Sequence, residues 1–168
     1  MIEYAALRDE MRSGDLFLVE GRGVISTLIR VLTGQQLSHV ALLVWIDGGL
    51  WVAEMREFVG FQLRPASLWL EDISGAGHTV YYGRAPRRVR ESPLVKETAL
   101  GFRSQGYGYL SLLQVWWAQL RRTRLRPRGV VCSTFVQRCW EAAGIAFSQT
   151  ADPGDFLRLC DGIEAIEA

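Results

Sequence analysis

Three residue types that do covalent chemistry together occur far apart in this chain. Cys132 opens the stretch Cys132-Ser133-Thr134-Phe135-Val136-Gln137-Arg138-Cys139-Trp140-Glu141-Ala142-Ala143-Gly144. Val131, Phe135, Val136, Cys139 and Ala143 recur at three- and four-residue steps, one apolar helical face, and Gly144 is a C-terminal stop. The spacing therefore predicts a helix with Cys132 in its first turn. Unpaired amides and the positive end of the helix dipole gather there, a setting that favours thiolate over thiol. A thiolate nucleophile needs a proton partner, and the chain has only two histidines, His39 and His78.

His39 lies in Leu37-Ser38-His39-Val40-Ala41-Leu42-Leu43-Val44-Trp45, an apolar run that ends at Asp47-Gly48-Gly49. This pattern predicts a buried strand, a hairpin turn and a return strand over residues 50–55. The return strand carries Glu54, whose carboxylate requires a partner if buried. Folding the hairpin brings Glu54, or Glu57 just beyond it, back toward His39, and Glu54 is the nearer. The expected set is Cys132 as nucleophile, His39 as base and Glu54 as the group that orients the imidazole. Acyl transfer through a thioester is the chemistry such a set performs. The Cys132 backbone N–H can steady an oxyanion. Ser38 and Ser133, beside the two key residues, are candidate substrate or oxyanion contacts. His78, at a strand start among glycines, reads as a surface residue.

Five pieces stand in a definite order: Gly14-Asp15-Leu16-Phe17, Ser38-His39-Val40-Ala41, Glu54, Cys132-Ser133-Thr134-Phe135-Val136 and Pro153-Gly154-Asp155-Phe156-Leu157. The ordered set resembles the permuted NlpC/P60 group of papain-like proteins. Within that group it is most similar to the YiiX-like branch, related to the lecithin:retinol acyltransferase-like enzymes. The resemblance implies an α+β, papain-like fold in circularly permuted order, with an antiparallel sheet packed against helices that include the cysteine-bearing one. It implies a cysteine hydrolase, peptidase or acyltransferase acting on amide or ester bonds. Substrates in the group include cell-wall peptides and lipid acyl groups, so a peptide, a peptidoglycan fragment or an acyl lipid is expected. Related sequences carry a Gly-x-x-Tyr element before the cysteine helix, which makes Tyr107 a candidate site-wall or oxyanion residue; a turn tyrosine packed on the core is the alternative.

The elements that must position these groups fit one domain spanning residues 1–168, long enough for a substantial core. Hydrophobic residues make up 49% and charged residues 22%, which excludes a disordered chain. A formal charge of +1 excludes global attraction to polyanions. Three cysteines, an odd number without zinc-type spacing, favour neither a disulfide framework nor a metal site, and no cofactor is expected. The first fifteen residues carry Glu3, Asp9 and Glu10 and do not read as a signal peptide. Arg30 and Asp47 interrupt the apolar runs well short of the ~20 residues of a membrane span.

Along the chain, helices are expected over residues 1–12, 24–32, 93–104 and 109–120, with a short one over 65–70 and a last one over 156–160. Further strands are expected over 16–19, 58–63 and 78–82. Arg84-Ala85-Pro86-Arg87-Arg88-Val89-Arg90 reads as a solvated basic connector, and residues 161–168 as an acidic frayed tail. The helix with Trp116 and Trp117 precedes Arg121, Arg122, Arg124, Arg126 and Arg128, a combination able to meet an anionic surface. No aromatic interleaving at nucleic-acid-module spacing is present, so no nucleic-acid partner is expected. Two other readings of the site are a non-catalytic binding or assembly protein that keeps the fold, and a structural metal site built from Cys132 and His39.

Overall fold

The computed structural model describes residues 1–21, 36–56, 59–104 and 131–168. The helices expected over 24–32 and 109–120, the arginine cluster, Tyr107 and Glu57 lie outside these residues.

In chain order the elements are β1 (Ile2–Glu3), α1 (Tyr4–Leu7), β2 (Leu16–Glu20), β3 (His39–Ile46), β4 (Gly49–Arg56), β5 (Gly60–Pro65), α2 (Ala66–Gly75), β6 (Thr79–Arg84), α3 (Arg87–Arg90), α4 (Pro93–Leu100), α5 (Cys132–Ala142), α6 (Asp155–Leu159) and β7 (Gly162–Glu167). Among the described residues the strands form one seven-stranded sheet in the order β1-β7-β6-β2-β3-β4-β5. Every neighbouring pair is antiparallel except β1 and β7. The chain is thus a mixed α+β protein, as its patterning implies.

The β3–β4 hairpin closes at Ile46↔Gly49. Asp47 and Gly48 both take positive φ, 48° and 77°, the Asp-Gly turn whose twist matches that of the strands it joins. Alternation along the two strands feeds two cores. Val40, Leu42, Val44, Ala53 and Met55 face α5, packing with Phe135, Val136, Cys139 and Trp140. Ala41, Leu43, Leu50 and Val52 face the other way, onto Trp69 and Leu70 of α2 and onto Leu7 and Met11. β3 is buried on both sides, which explains why it reads as a continuous apolar run rather than an alternating one.

Phe135 fixes the cysteine helix against the sheet. Its ring meets Phe102 edge-on at 5.2 Å and Phe61 at 6.0 Å. Trp140, on the same helix, packs edge-on against Phe156 at 5.3 Å, and its Nε1–H donates to the Gly14 carbonyl at 3.1 Å. The Gly14-Asp15 pair is structural. Gly14 has φ 99°, and a Cβ there would lie 2.6 Å from Val89 Cγ1. The buried Asp15 carboxylate accepts from the backbone N–H groups of Arg12 (2.7 Å) and Ala85 (2.9 Å) and from the Tyr82 hydroxyl (2.8 Å).

Several expected elements differ in the structure. Residues 84–90 are not a solvated connector: Val89 is buried, and Arg90 Nε lies 3.1 Å from Asp15 Oδ1. One apolar anchor and one buried counter-charge hold this arginine-rich turn. Residues 162–167 are not a frayed tail either. They form β7, antiparallel to β6 over Val80↔Ile166 to Arg84↔Gly162. Ile163 packs on one core and Ile166 enters the other. Three residues apart on a strand means opposite faces, so the pair anchors both sides of an otherwise acidic segment. The N-terminal helix expected over 1–12 is a single turn preceded by a two-residue strand. The strand expected at 58 starts at Gly60, and the short helix after it runs on to Gly75.

Candidate active site

Cys132 is the first residue of α5. Thr134 secures this helix start: its Oγ1 accepts from the Val131 N–H at 3.0 Å. The helix ladder begins with Phe135 N–H to Val131 O at 2.9 Å. The amides of Cys132, Ser133 and Thr134 therefore have no acceptor within the helix and sit at its positive end. Cys132 and Ser133 are both buried, at 5% and 2% exposure.

His39 is the first residue of β3. Its Nε2–H donates to Glu54 Oε2 at 2.7 Å. The His39 side chain is 14% exposed and that of Glu54 only 3%. With Nε2 engaged, Nδ1 is the ring nitrogen left for another partner. Burial works against a charge on this ring. The nearby Cys132 sulfur, through charge and hydrogen bonding, and then the Glu54 carboxylate outweigh it and hold the imidazole protonated well above the ordinary 6.5. Burial likewise pushes the Glu54 carboxyl up. The hydrogen bond and charge of His39, then Trp69 and the Arg56 charge, bring it below the ordinary 4.5.

The sheet lies between the outer members of this set. Glu54 shares the parity of Leu50 and Val52, on the α2 side, whereas Cys132 belongs to the core on the α5 side. His39, the first residue of β3, has the parity of Ala41 and Leu43, the same side as Glu54. A cavity of about 140 Å³ opens beside the imidazole and Glu54, also lined by Ser38, Arg56 and His78. The sequence reads His78 as a surface residue; the structure puts it, half-buried, at this cavity.

Ser38 is also at the cavity, but its hydroxyl has local partners. Oγ accepts from Gly21 N–H at 3.0 Å and donates to the Val19 carbonyl at 3.4 Å, tying β2 to β3. The other two cysteines are held as thiols. Burial pushes Cys139 far upward, and burial with the Asp15 and Asp161 charges brings Cys160 to about 12. Trp69, a neighbour of Glu54, escapes a reading by motif. It comes from α2, and only its aromatic character on a buried helix face could have drawn attention to it.

No family model matches this chain, and no curated protein matches it. A solved structure does match. It is the metalloprotein yiiX from Escherichia coli O157:H7, DUF1105, with TM-score 0.56 and 17% identity, over 80% of this chain and 67% of that one. The chain shares the fold of yiiX.

Proposed function

We propose that Cys132, His39 and Glu54 form a thiol acyl-transfer site of papain-like type, set in the permuted order that places the histidine strand before the cysteine helix. One observation carries this reading: a single imidazole is hydrogen-bonded to a buried carboxylate at 2.7 Å and acted on by a cysteine sulfur at a helix start.

The Cys132 thiolate attacks a carbonyl carbon and the S–C bond forms. The Cys132 backbone N–H, with no acceptor in its own helix, stabilises the oxyanion. His39, held as imidazolium, gives its proton to the leaving nitrogen or oxygen as the amide or ester bond breaks. Glu54 keeps the ring oriented and balances its charge. A water, an amine or an alcohol then attacks the thioester and gives its proton to His39, and Cys132 leaves as thiolate. Water makes the protein a hydrolase; the other acceptors make it an acyltransferase. The substrate class is a peptide or peptidoglycan-fragment amide or a lipid acyl group. Arg121, Arg122, Arg124, Arg126 and Arg128 would supply positive charge for an anionic surface.

Mass spectrometry after incubation with activated acyl esters tests the proposal. An acyl adduct on Cys132 is expected in the full chain and none in Cys132→Ala. Acylation spread over Cys139 and Cys160, or none, would contradict it.

That yiiX is a metalloprotein favours a second reading, a metal site. The described residues do not fit one: no group of three or more His, Cys, Asp and Glu among them could hold an ion. His39 Nε2 is directed to Glu54 rather than to a shared centre. Stoichiometric zinc in the purified protein would favour the metal reading over the acyl-transfer one.

A further inference from the structure

Glu54 uses only one of its oxygens on His39. Its second oxygen, Oε1, is buried and has no hydrogen-bond partner within ordinary limits. A buried carboxylate oxygen without a donor is costly, so its isolation calls for an explanation. Among the described residues, three other buried side-chain atoms share this condition, and one is Trp69 Nε1. An indole N–H only donates and a carboxylate oxygen only accepts. Each is therefore the kind of partner the other requires. They also lie on the same side of the sheet. Trp69 is fully buried in the α2-side core, and Glu54 has the parity of Leu50 and Val52, which belong to it. Trp69 is stacked on Phe17, with ring centroids 5.4 Å apart and planes 22° from parallel, so its indole cannot turn freely.

We infer that Trp69 is the positioning residue for Glu54: its Nε1–H donates to Oε1, fixes the carboxylate plane and leaves Oε2 aimed at His39. The inference deepens the acyl-transfer reading and rests on it for its consequence, but the bond itself does not depend on catalysis. The consequence is a chain from α2 through β4 to the end of β3. The indole holds the carboxylate, the carboxylate holds the imidazole, and the imidazole acts with the Cys132 sulfur. Trp69 is among the groups that bring the Glu54 carboxyl below its ordinary value against burial. Without it, a buried carboxylate would keep one hydrogen bond, at Oε2, and its orientation would be set by packing alone.

The test is the indole N–H signal of Trp69 in 15N-labelled full-length protein, assigned by its loss in Trp69→Phe or by its contact with the Phe17 ring. Glu54→Gln replaces a charged acceptor with a neutral one. The signal is expected to move upfield and to exchange faster with solvent in that variant. In the unsubstituted protein it should move upfield as pH falls through the Glu54 titration. A signal that ignores both changes overturns the inference.

A second readout reports function. In Trp69→Phe the alkaline limb of Cys132 alkylation, set by loss of the His39 proton, should shift to lower pH. The rate at neutral pH should fall about ten- to a hundred-fold, the size of a lost hydrogen bond to a charged group. Trp45→Phe, which removes an indole bonded to the Met11 carbonyl, should leave that limb in place. An unchanged limb in Trp69→Phe contradicts the positioning role. If Cys132 proves unreactive in the unsubstituted protein, the acyl-transfer reading fails, and the indole shift still decides the bond. If Trp69→Phe does not fold, the response of the indole signal to Glu54→Gln decides it alone.

Discussion

The imidazole of His39 carries the residue-scale account. Its proton is held well above the ordinary value. A group whose folded value is raised contributes stability that is complete below its unfolded value and is lost as pH rises through the folded one. The His39 ring should therefore titrate by NMR well above 6.5, and unfolding free energy should decline across that alkaline step. Cys132→Ala and Glu54→Gln should each bring the titration down. A ring that titrates at or below 6.5 in the unsubstituted protein would contradict this. Glu54 works with the opposite sign. Its folded value is lowered, so its contribution is present above 4.5 and disappears as pH falls through the folded value. Glu54→Gln is expected to lower acyl-transfer activity by about ten- to a hundred-fold, since one charge-assisted hydrogen bond is lost. An unchanged rate would move the orienting role elsewhere. At this scale Cys132, His39 and Glu54 were legible in the sequence because each stands in a strong local pattern: a helix start, an apolar strand and its hairpin return. Trp69 was not, because its relation to Glu54 arises only when α2 folds back across the sheet.

At the scale of elements, position depends on a few contacts that local pattern does not announce. Gly14 is needed for a positive φ and for the close approach of Val89. Gly14→Ala should destabilise the protein by about 1–3 kcal/mol from backbone strain alone, measured by denaturant unfolding; a change within error would show that the turn relaxes freely. Thr134→Val should cost about 1 kcal/mol through loss of the hydrogen bond to Val131 N–H. It should also loosen the start of α5, read as faster amide exchange there than in the rest of the helix. The hairpin was legible because Asp47-Gly48 dictates its own turn. The basic turn at residues 87–90 and the closing strand β7 were not, because their sequences are dominated by charge. A single buried Val89 and the ion pair to Asp15 decide the first. The pairing with β6, formed across more than seventy residues of chain, decides the second.

Taken whole, the molecule is a sheet with a core on each face, and the candidate site joins the two. The cysteine belongs to the α5 side, the carboxylate and Trp69 to the α2 side, and the imidazole, at the start of β3, is hydrogen-bonded to that carboxylate. The α+β class was legible from alternation and helical periodicity; the division of the site between faces was not, because parity assigns a side only once the register of β3 and β4 is known. The likeness to yiiX, at 17% identity and TM-score 0.56, is one of fold: the same sheet-and-helix frame. The most direct measurement is the alkylation rate of each cysteine at neutral pH, read by peptide mass spectrometry in the unsubstituted protein and in His39→Ala. The account expects Cys132 to react at least about ten-fold faster than Cys139 and Cys160, which burial holds as thiols, and expects His39→Ala to abolish that advantage. Equal rates at the three sites, or a Cys132 rate indifferent to the loss of His39, would contradict it.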